Sequence, residues 1–253
     1  MQLKFLCLNV WLGGHLMDEV LALIRATKPD VVALQEVYDG KVPSWDRNYR
    51  CMDVLRNELR YPYDHFAPAF LEVADVGKVP QGNAVLSRFP IVKSDVIFFD
   101  VPFGDRVRVR ENFPVTPRNV QHVRLDAGGV EANVFNTQGI WGEDGRDNER
   151  RIAMGRTLAE RVRGERNVIL AGDFNVNPDT ETVRQIERHL RHIFAGELRS
   201  TFNMKRKTDP VFATAVVDMV FVGPGVQVVD HACLQDDVSD HLPLLATLTL
   251  SSP

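Results

Sequence analysis

Hydrophobic runs of strand length outnumber stretches of helical period along this chain, and the two kinds are interleaved without strict alternation. Leu3 to Val10 and Val31 to Val37 read as buried strands. Between them Leu16, Val20, Leu23 and Ile24 recur at helical spacing, with Pro29 as the stop. Met52, Leu55 and Leu59 mark a second helix, closed by Tyr61 and Pro62. A β-rich middle follows at 65–73, 82–87, 91–99, 119–125 and 130–137, with Asp126-Ala127-Gly128-Gly129 as the hairpin turn joining the last two. A third helix runs from Asp147, its expected N-cap, through Met154, Leu158 and Val162. After a strand at 168–171, a fourth helix carries Val183, Ile186, Leu190 and Ile193. The tail gives strands at 216–222, 226–233 and 244–250, and 100–117 reads as a long charged loop. A doubly wound parallel sheet needs a helical crossover between neighbouring strands, and the middle of this chain has none. The pattern predicts two packed sheets with helices outside them.

With 253 residues the chain suits a single domain, 1–253, with ample core. The net charge of −4 argues against coating long nucleic acid, though it leaves room for a local basic groove. Cys7, Cys51 and Cys233 show no CxxC spacing, so they read as reduced thiols in a cytoplasmic protein. The first ten residues lack the pattern of a secretory leader, and no apolar run reaches the ~20 residues of a membrane span.

Two segments carry the chemistry. Gly172-Asp173-Phe174-Asn175 follows an apolar strand, and Ser239-Asp240-His241 precedes one. Asp173 and Asn175 share a face if the backbone stays extended. Asp240 and His241 serve one site only from a loop, because a strand would point them apart. Acid, amide and imidazole at strand ends suit metal-assisted hydrolysis. Asp218, inside an apolar run, needs a partner, because a buried carboxylate without one is costly.

In chain order the polar strand-end positions are Asn9, Glu36, Asp173 with Asn175, Asp218, and Asp240 with His241. Together with Leu34-Gln35-Glu36, Gly82-Asn83-Ala84-Val85-Leu86-Ser87-Arg88 and Asn136-Thr137, this series resembles the endonuclease/exonuclease/phosphatase superfamily, with its deoxyribonuclease-I-like fold. The resemblance implies an α/β fold: a four-layer α/β/β/α sandwich of two mostly antiparallel sheets flanked by helices. It implies Mg²⁺, with Mn²⁺ as the alternative, and hydrolysis of a phosphodiester or phosphomonoester. Carried over, Glu36 and Asn9 hold the metal. Asp173 orients or deprotonates the attacking water beside Asn175. His241 contacts the phosphate or transfers a proton, with Asp218 holding its ring, and Asp240 is a second acidic ligand or positions His241.

One position departs from the resemblance. After Asn136-Thr137 the family has His, and here stands Gln138, which neither carries charge nor transfers a proton. Arg118, His122, Arg146 and Arg150 are the cations available to substitute. Gln138, Arg118 and Trp141 are the expected substrate contacts; for Trp11 and Trp141, base stacking and ordinary packing both remain open. The arginines at 106, 108, 110, 118 and 124 alternate as on a strand face, and a solvated face and contact with a polyanionic substrate both remain open for them, whereas Lys205-Arg206-Lys207 reads as a solvated turn. His15, His65, His189, His192 and His231 read as surface or loop positions. The expected protein is a monomer acting on a phosphorylated substrate, such as a small molecule or single-stranded or damaged nucleic acid. The alternative is a catalytically weakened phosphate-binding protein on the same fold.

Overall fold

The computed structural model describes residues 1–252. Its elements, in order, are β1 (Gln2–Asn9), α1 (Met17–Thr27), β2 (Val31–Tyr38), α2 (Cys51–Leu59), β3 (Tyr63–Ala74), β4 (Gly77–Ser87), β5 (Ile91–Phe98), β6 (Asp105–Arg106), β7 (Asn119–Asp126), β8 (Glu131–Gln138), α3 (Glu149–Val162), β9 (Val168–Asp173), α4 (Glu181–Glu187), β10 (Arg191–His192), β11 (Asp218–Val222), β12 (Val226–Cys233) and β13 (Leu244–Leu250). One sheet has the order β12-β13-β1-β2-β4-β3-β6 and the other β10-β11-β9-β8-β7-β5. Among the described residues only the pairs β1/β2, β3/β6 and β8/β9 are parallel.

Side-chain alternation along the central strands builds the layers. In β1, Leu3, Phe5 and Cys7 enter the core between the sheets, while Leu6 and Leu8 face α1 and α2. In β9, Ile169 and Ala171 point to the same inter-sheet core, and Val168 and Leu170 face α3 and α4. Both faces are covered, so these strands read as continuous apolar runs. Each fully buried Leu or Val contributes about 1.5–3 kcal/mol. Three apolar layers separate four layers of structure, which is the expected α/β/β/α sandwich. Among the described residues no helix is long and apolar enough to cross a membrane.

Local chemistry sets most boundaries. Lys28 closes α1 in the left-handed region at φ 49°, its N–H bonded to the Ile24 carbonyl, just before Pro29. The expected hairpin turn forms: Gly128 and Gly129 have φ of 69° and 85°, and Gly129 N–H donates to the Asp126 carboxylate at 2.6 Å. The third helix is capped by Asn148, whose side chain accepts from Arg151 N–H, and not by Asp147. Asp147 instead accepts from the backbone N–H groups of Glu181 and Thr182, and so caps α4 across space. That fourth helix ends at Glu187, short of Leu190 and Ile193.

The segment expected as a loop at 100–117 is partly ordered into the sheet. Asp105 and Arg106 add a short parallel edge strand beside Leu71 and Glu72, and a 3₁₀ turn spans Arg110–Val115. Arg150 pins it by donating to the Asp100 carboxylate and the Pro114 carbonyl.

His192 departs from expectation: it is buried against Phe221, and both ring nitrogens lack partners. Burial pushes its pKa down to about 4. The unfolded chain therefore binds the extra proton between about 6.5 and about 4, so stability is complete above that window and is lost as pH falls through it. His192→Phe should keep the ring contact and lose this dependence. Urea melts at pH 7 and pH 4.5 should show the wild type losing about 2 kcal/mol more than the variant; equal losses would remove the assignment.

Candidate active site

The polar strand ends meet at one edge of the sandwich. Asn9 ends β1, Glu36 lies near the end of β2, Gln138 ends β8 and Asp173 ends β9. Asp218 opens β11 in direct register with Asp173, because β11 runs antiparallel to β9. Asp240 and His241 lie on the loop before β13, as their adjacency requires. Ser239 ties that loop down by donating from Oγ to the Asn9 carbonyl at 2.7 Å.

Glu36 reaches the site through an irregularity. The register of β2 against β4 shifts between Leu34 and Val37, and Glu36 takes φ 59°. A non-glycine residue in this region is costly and is held by its surroundings. The bulge turns Glu36 out of the strand alternation while Gln35 stays inside, donating to Asn136 Oδ1 at 2.7 Å. Asn136 in turn donates to the carbonyls of Leu34 and Ala84 at 3.0 Å each, pinning one sheet to the other below the site.

Hydrogen bonds join the acids. Asn9 Nδ2 donates to Glu36 Oε1 at 3.1 Å and to Asp173 Oδ2 at 3.2 Å, while Asn9 Oδ1 accepts from Trp11 N–H at 3.0 Å. Glu36 also accepts from Leu12 N–H at 2.9 Å and from Gln138 Nε2 at 2.8 Å. Burial works to raise the Glu36 carboxyl, but these bonds from Asn9 and Leu12, with the charges of His241 and Arg118, hold it below its ordinary value. At Asp173 the bonds from Asn9 and from the Asn175 N–H do not offset burial. Burial, with the negative charges of Asp218 and Glu36, pushes it up to about 6 against the opposing pull of His241.

His241 Nδ1 sits 2.8 Å from Asp218 Oδ2, and the ring packs on Phe202. Burial opposes a charged imidazole, yet the Asp218 charge and hydrogen bond, with Asp240 and Asp173, raise its pKa well above the ordinary histidine value. With Nδ1 committed to Asp218, Nε2 is the nitrogen left for a substrate. Asn175 turns back at φ 56°, so it does not continue an extended strand; its N–H donates to Asp173 Oδ1 at 3.0 Å and its Nδ2 to the Gly139 carbonyl at 3.1 Å. Asp240 meets Lys207, Oδ2 to Nζ at 2.9 Å.

Gln138 does not stand alone. Its Oε1 accepts from Arg118 Nη1 at 2.5 Å while its amide nitrogen donates to Glu36. Arg118 is therefore the cation beside the position where the resemblance expects His. The other candidates are engaged elsewhere: His122 stacks on Phe135, Arg146 pairs with Asp179 and Arg150 with Asp100.

Glu36, Arg118, Gln138, Asp173, Asn175, Asp240 and His241 line a cavity of about 240 Å³. Its walls carry Trp11, Phe70, Phe113, Trp141, Phe202 and Phe212, with Arg106, Arg108, Arg118 and Lys207. Trp11 and Trp141 were singled out in the sequence, but Phe70, Phe113, Phe202, Phe212 and Lys207 were not, because they come from distant segments; Lys207 leaves its expected solvated turn to enter the cavity. Arg110 and Arg124 stay outside, paired with Glu143 and with Glu131 and Glu165.

The donor set suits a hard divalent cation. Glu36 and Asp173 present oxygens linked through Asn9, and Asp218 Oδ1 is buried with no partner. Crowded buried carboxylates of this kind are relieved by a cation with oxygen ligands. Ligand-capable atoms of Asp173, Asp218 and His241 lie within 4.8 Å of one another. His241 is already committed to Asp218 there, so the Glu36–Asp173 side is the better seat. Asn9 offers an oxygen only if its amide turns over and gives up the Trp11 bond.

Residues 6–241 match the sequence profile described as the Endonuclease/Exonuclease/phosphatase family. No curated protein shows significant sequence similarity. Among solved structures, an endonuclease/exonuclease/phosphatase from Beutenbergia cavernae is 22% identical with a TM-score of 0.76, covering 99% of this chain and 72% of its own. A mannosyl-6-phosphatase of Bacteroides thetaiotaomicron is 17% identical with a TM-score of 0.72, over 98% of this chain and 100% of its own. The TDP2 of D. rerio, complexed with single-strand DNA product, is 16% identical with a TM-score of 0.70, over 98% and 99%. These likenesses show the fold.

Proposed function

The chain belongs to the endonuclease/exonuclease/phosphatase family, and from that premise we propose that it is a divalent-metal-dependent phosphoesterase working by in-line attack of an activated water. The observation that carries the reading is the meeting of Glu36, Asp173, Asn175 and His241 in the lining of one cavity, with Asp218 bonded to His241 behind it.

Glu36 and Asp173 hold the cation, Mg²⁺ with Mn²⁺ as a substitute, and Asn9 aligns the two carboxylates. When bound, that cation supplies charge neutralisation at the phosphoryl oxygens. Asp173 Oδ1, steadied by Asn175 N–H, orients a water and takes its proton. His241, charged and fixed by Asp218, donates from Nε2 to a phosphoryl or leaving oxygen. Arg118 stabilises the growing negative charge and Gln138 fixes its guanidinium. Asp240 holds Lys207 at the cavity wall, and Trp141 packs against the substrate. With Arg118 supplying a cation beside Gln138, the weakened-binder reading is not needed. The free thiols suit a reducing compartment such as the cytoplasm. A small phosphorylated compound or the end of a single strand suits a cavity of this volume.

The test is Mg²⁺-dependent hydrolysis of bis-p-nitrophenyl phosphate and of p-nitrophenyl phosphate. The wild type should turn over at least one, and Asp173→Ala and His241→Ala should each lose more than ~10²-fold. Equal rates in all three would end the enzyme assignment at this site.

A further inference from the structure

The cavity has a second positive pole that the hydrolytic groups do not use. Arg106 and Arg108 line it from the segment around β6, the outermost strand of its sheet. Glu36 lies on β2, and β4 and β3 stand between. Three strand spacings of ~4.8 Å put the two backbones about 14 Å apart along the sheet edge, a gap that the arginine side chains narrow.

This pole is built. Glu72 on β3 is 2% exposed, and a buried carboxylate needs partners. It accepts from Tyr38 Oη, and Arg108 Nε lies 3.3 Å from its Oε1. Holding Arg108 by Nε leaves both terminal nitrogens free of protein partners among the described residues, the fork that binds a phosphate in bidentate fashion. Arg106 spends its guanidinium on the carbonyls of Val115 and Asp105 and, among the described residues, has no carboxylate partner. Its charge at the cavity is uncompensated. Elsewhere on the walls Lys207 is matched by Asp240 and His241 by Asp218.

Resting on the proposed phosphoesterase reading, we infer that the substrate is a small phosphoester bearing a second anionic group, separated from the scissile phosphate by a spacer of sugar size, and that Arg108 binds this second group with Glu72 as its positioning residue. A spacer between the two groups fits that strand separation better than a directly bonded pyrophosphate, whose two phosphorus atoms share one bridging oxygen. The aromatic residues on the same walls favour a planar ring within the spacer.

The probes are adenosine 3′,5′-bisphosphate against adenosine 3′-phosphate and adenosine 5′-phosphate, each with Mg²⁺. The wild type should prefer the bisphosphate at least tenfold in kcat/KM over the better monophosphate. Arg108→Gln should bring that preference below threefold. Glu72→Gln should lower it through KM with kcat held, which a merely structural defect would not do. Arg110→Gln removes a charge from the same segment but outside the cavity, and should keep the preference. A wild type without preference, or a preference that survives Arg108→Gln, overturns the inference. If none of the three compounds is hydrolysed, calorimetric affinities decide: a tenfold tighter Kd for the bisphosphate that Arg108→Gln abolishes supports the second pole, and equal affinities overturn it. Hydrolysis of p-nitrophenyl phosphate that depends on Asp173 separates this outcome from failure of the enzyme reading.

Discussion

Asp173→Asn should cut kcat on a p-nitrophenyl ester by about 10³-fold or more while leaving the fold intact or more stable. The asparagine keeps the shape and can still accept from Asn175 N–H, so the lost property is the negative charge and the ability to take a proton. Stability should move the other way. Asp173 is buried beside Asp218 and Glu36, whose charges oppose its own. Removing one negative charge from this crowd relieves repulsion in the metal-free protein. Thermal melts in EDTA should show a Tm raised by several degrees, as expected for a gain near 1–2 kcal/mol. Adding Mg²⁺ should then stabilise the wild type more than the variant, because the variant has lost a ligand. Full activity in Asp173→Asn would remove it from the chemistry. A lowered Tm in EDTA would show that its charge is satisfied in the fold.

The second large effect is expected at the Asp218–His241 pair. His241→Ala should lower kcat by about 10²–10⁴-fold, the range for a positioned proton-transfer group. Asp218→Asn leaves the imidazole in place but removes the charge that holds it protonated and oriented, so it should cost nearly as much. The pair acts as one unit: the double variant should be no slower than the worse single, where independent roles would multiply. Multiplying losses would mean that Asp218 acts separately, through its unpartnered Oδ1.

The cluster of polar strand ends was legible because its cues are local. A run such as Val168-Ile169-Leu170-Ala171 with both faces buried, followed by Gly172 and Asp173, announces a central strand emptying into a site. Gly172 is required there: an added Cβ would lie 1.9 Å from the Thr137 carbonyl oxygen. The layered fold was legible for the same reason, since helical and strand periods are short-range patterns. What stayed hidden depends on contacts across the chain. Asp147 precedes α3 yet caps α4, because loop closure brings it to Glu181 and Thr182. The Glu72–Arg108 contact joins β3 to a segment that looked like loop, since a two-residue edge strand leaves no periodic trace. The aromatic wall draws single rings from six separate segments, so no window of sequence could show basic and aromatic residues interleaved. Gln138, read as a loss, is a bridge between Arg118 and Glu36.

On the proposed reading the buried acids form a metal-dependent hydrolytic centre seated on Glu36. Its most direct test is the rate of p-nitrophenyl ester hydrolysis against added Mg²⁺, in EDTA-stripped wild type and in Glu36→Gln. No turnover is expected without metal, with a saturable rise in the wild type and at least tenfold more Mg²⁺ for half-saturation in Glu36→Gln. Turnover that is equal with and without metal, or a Glu36→Gln titration superimposable on the wild type, would contradict it.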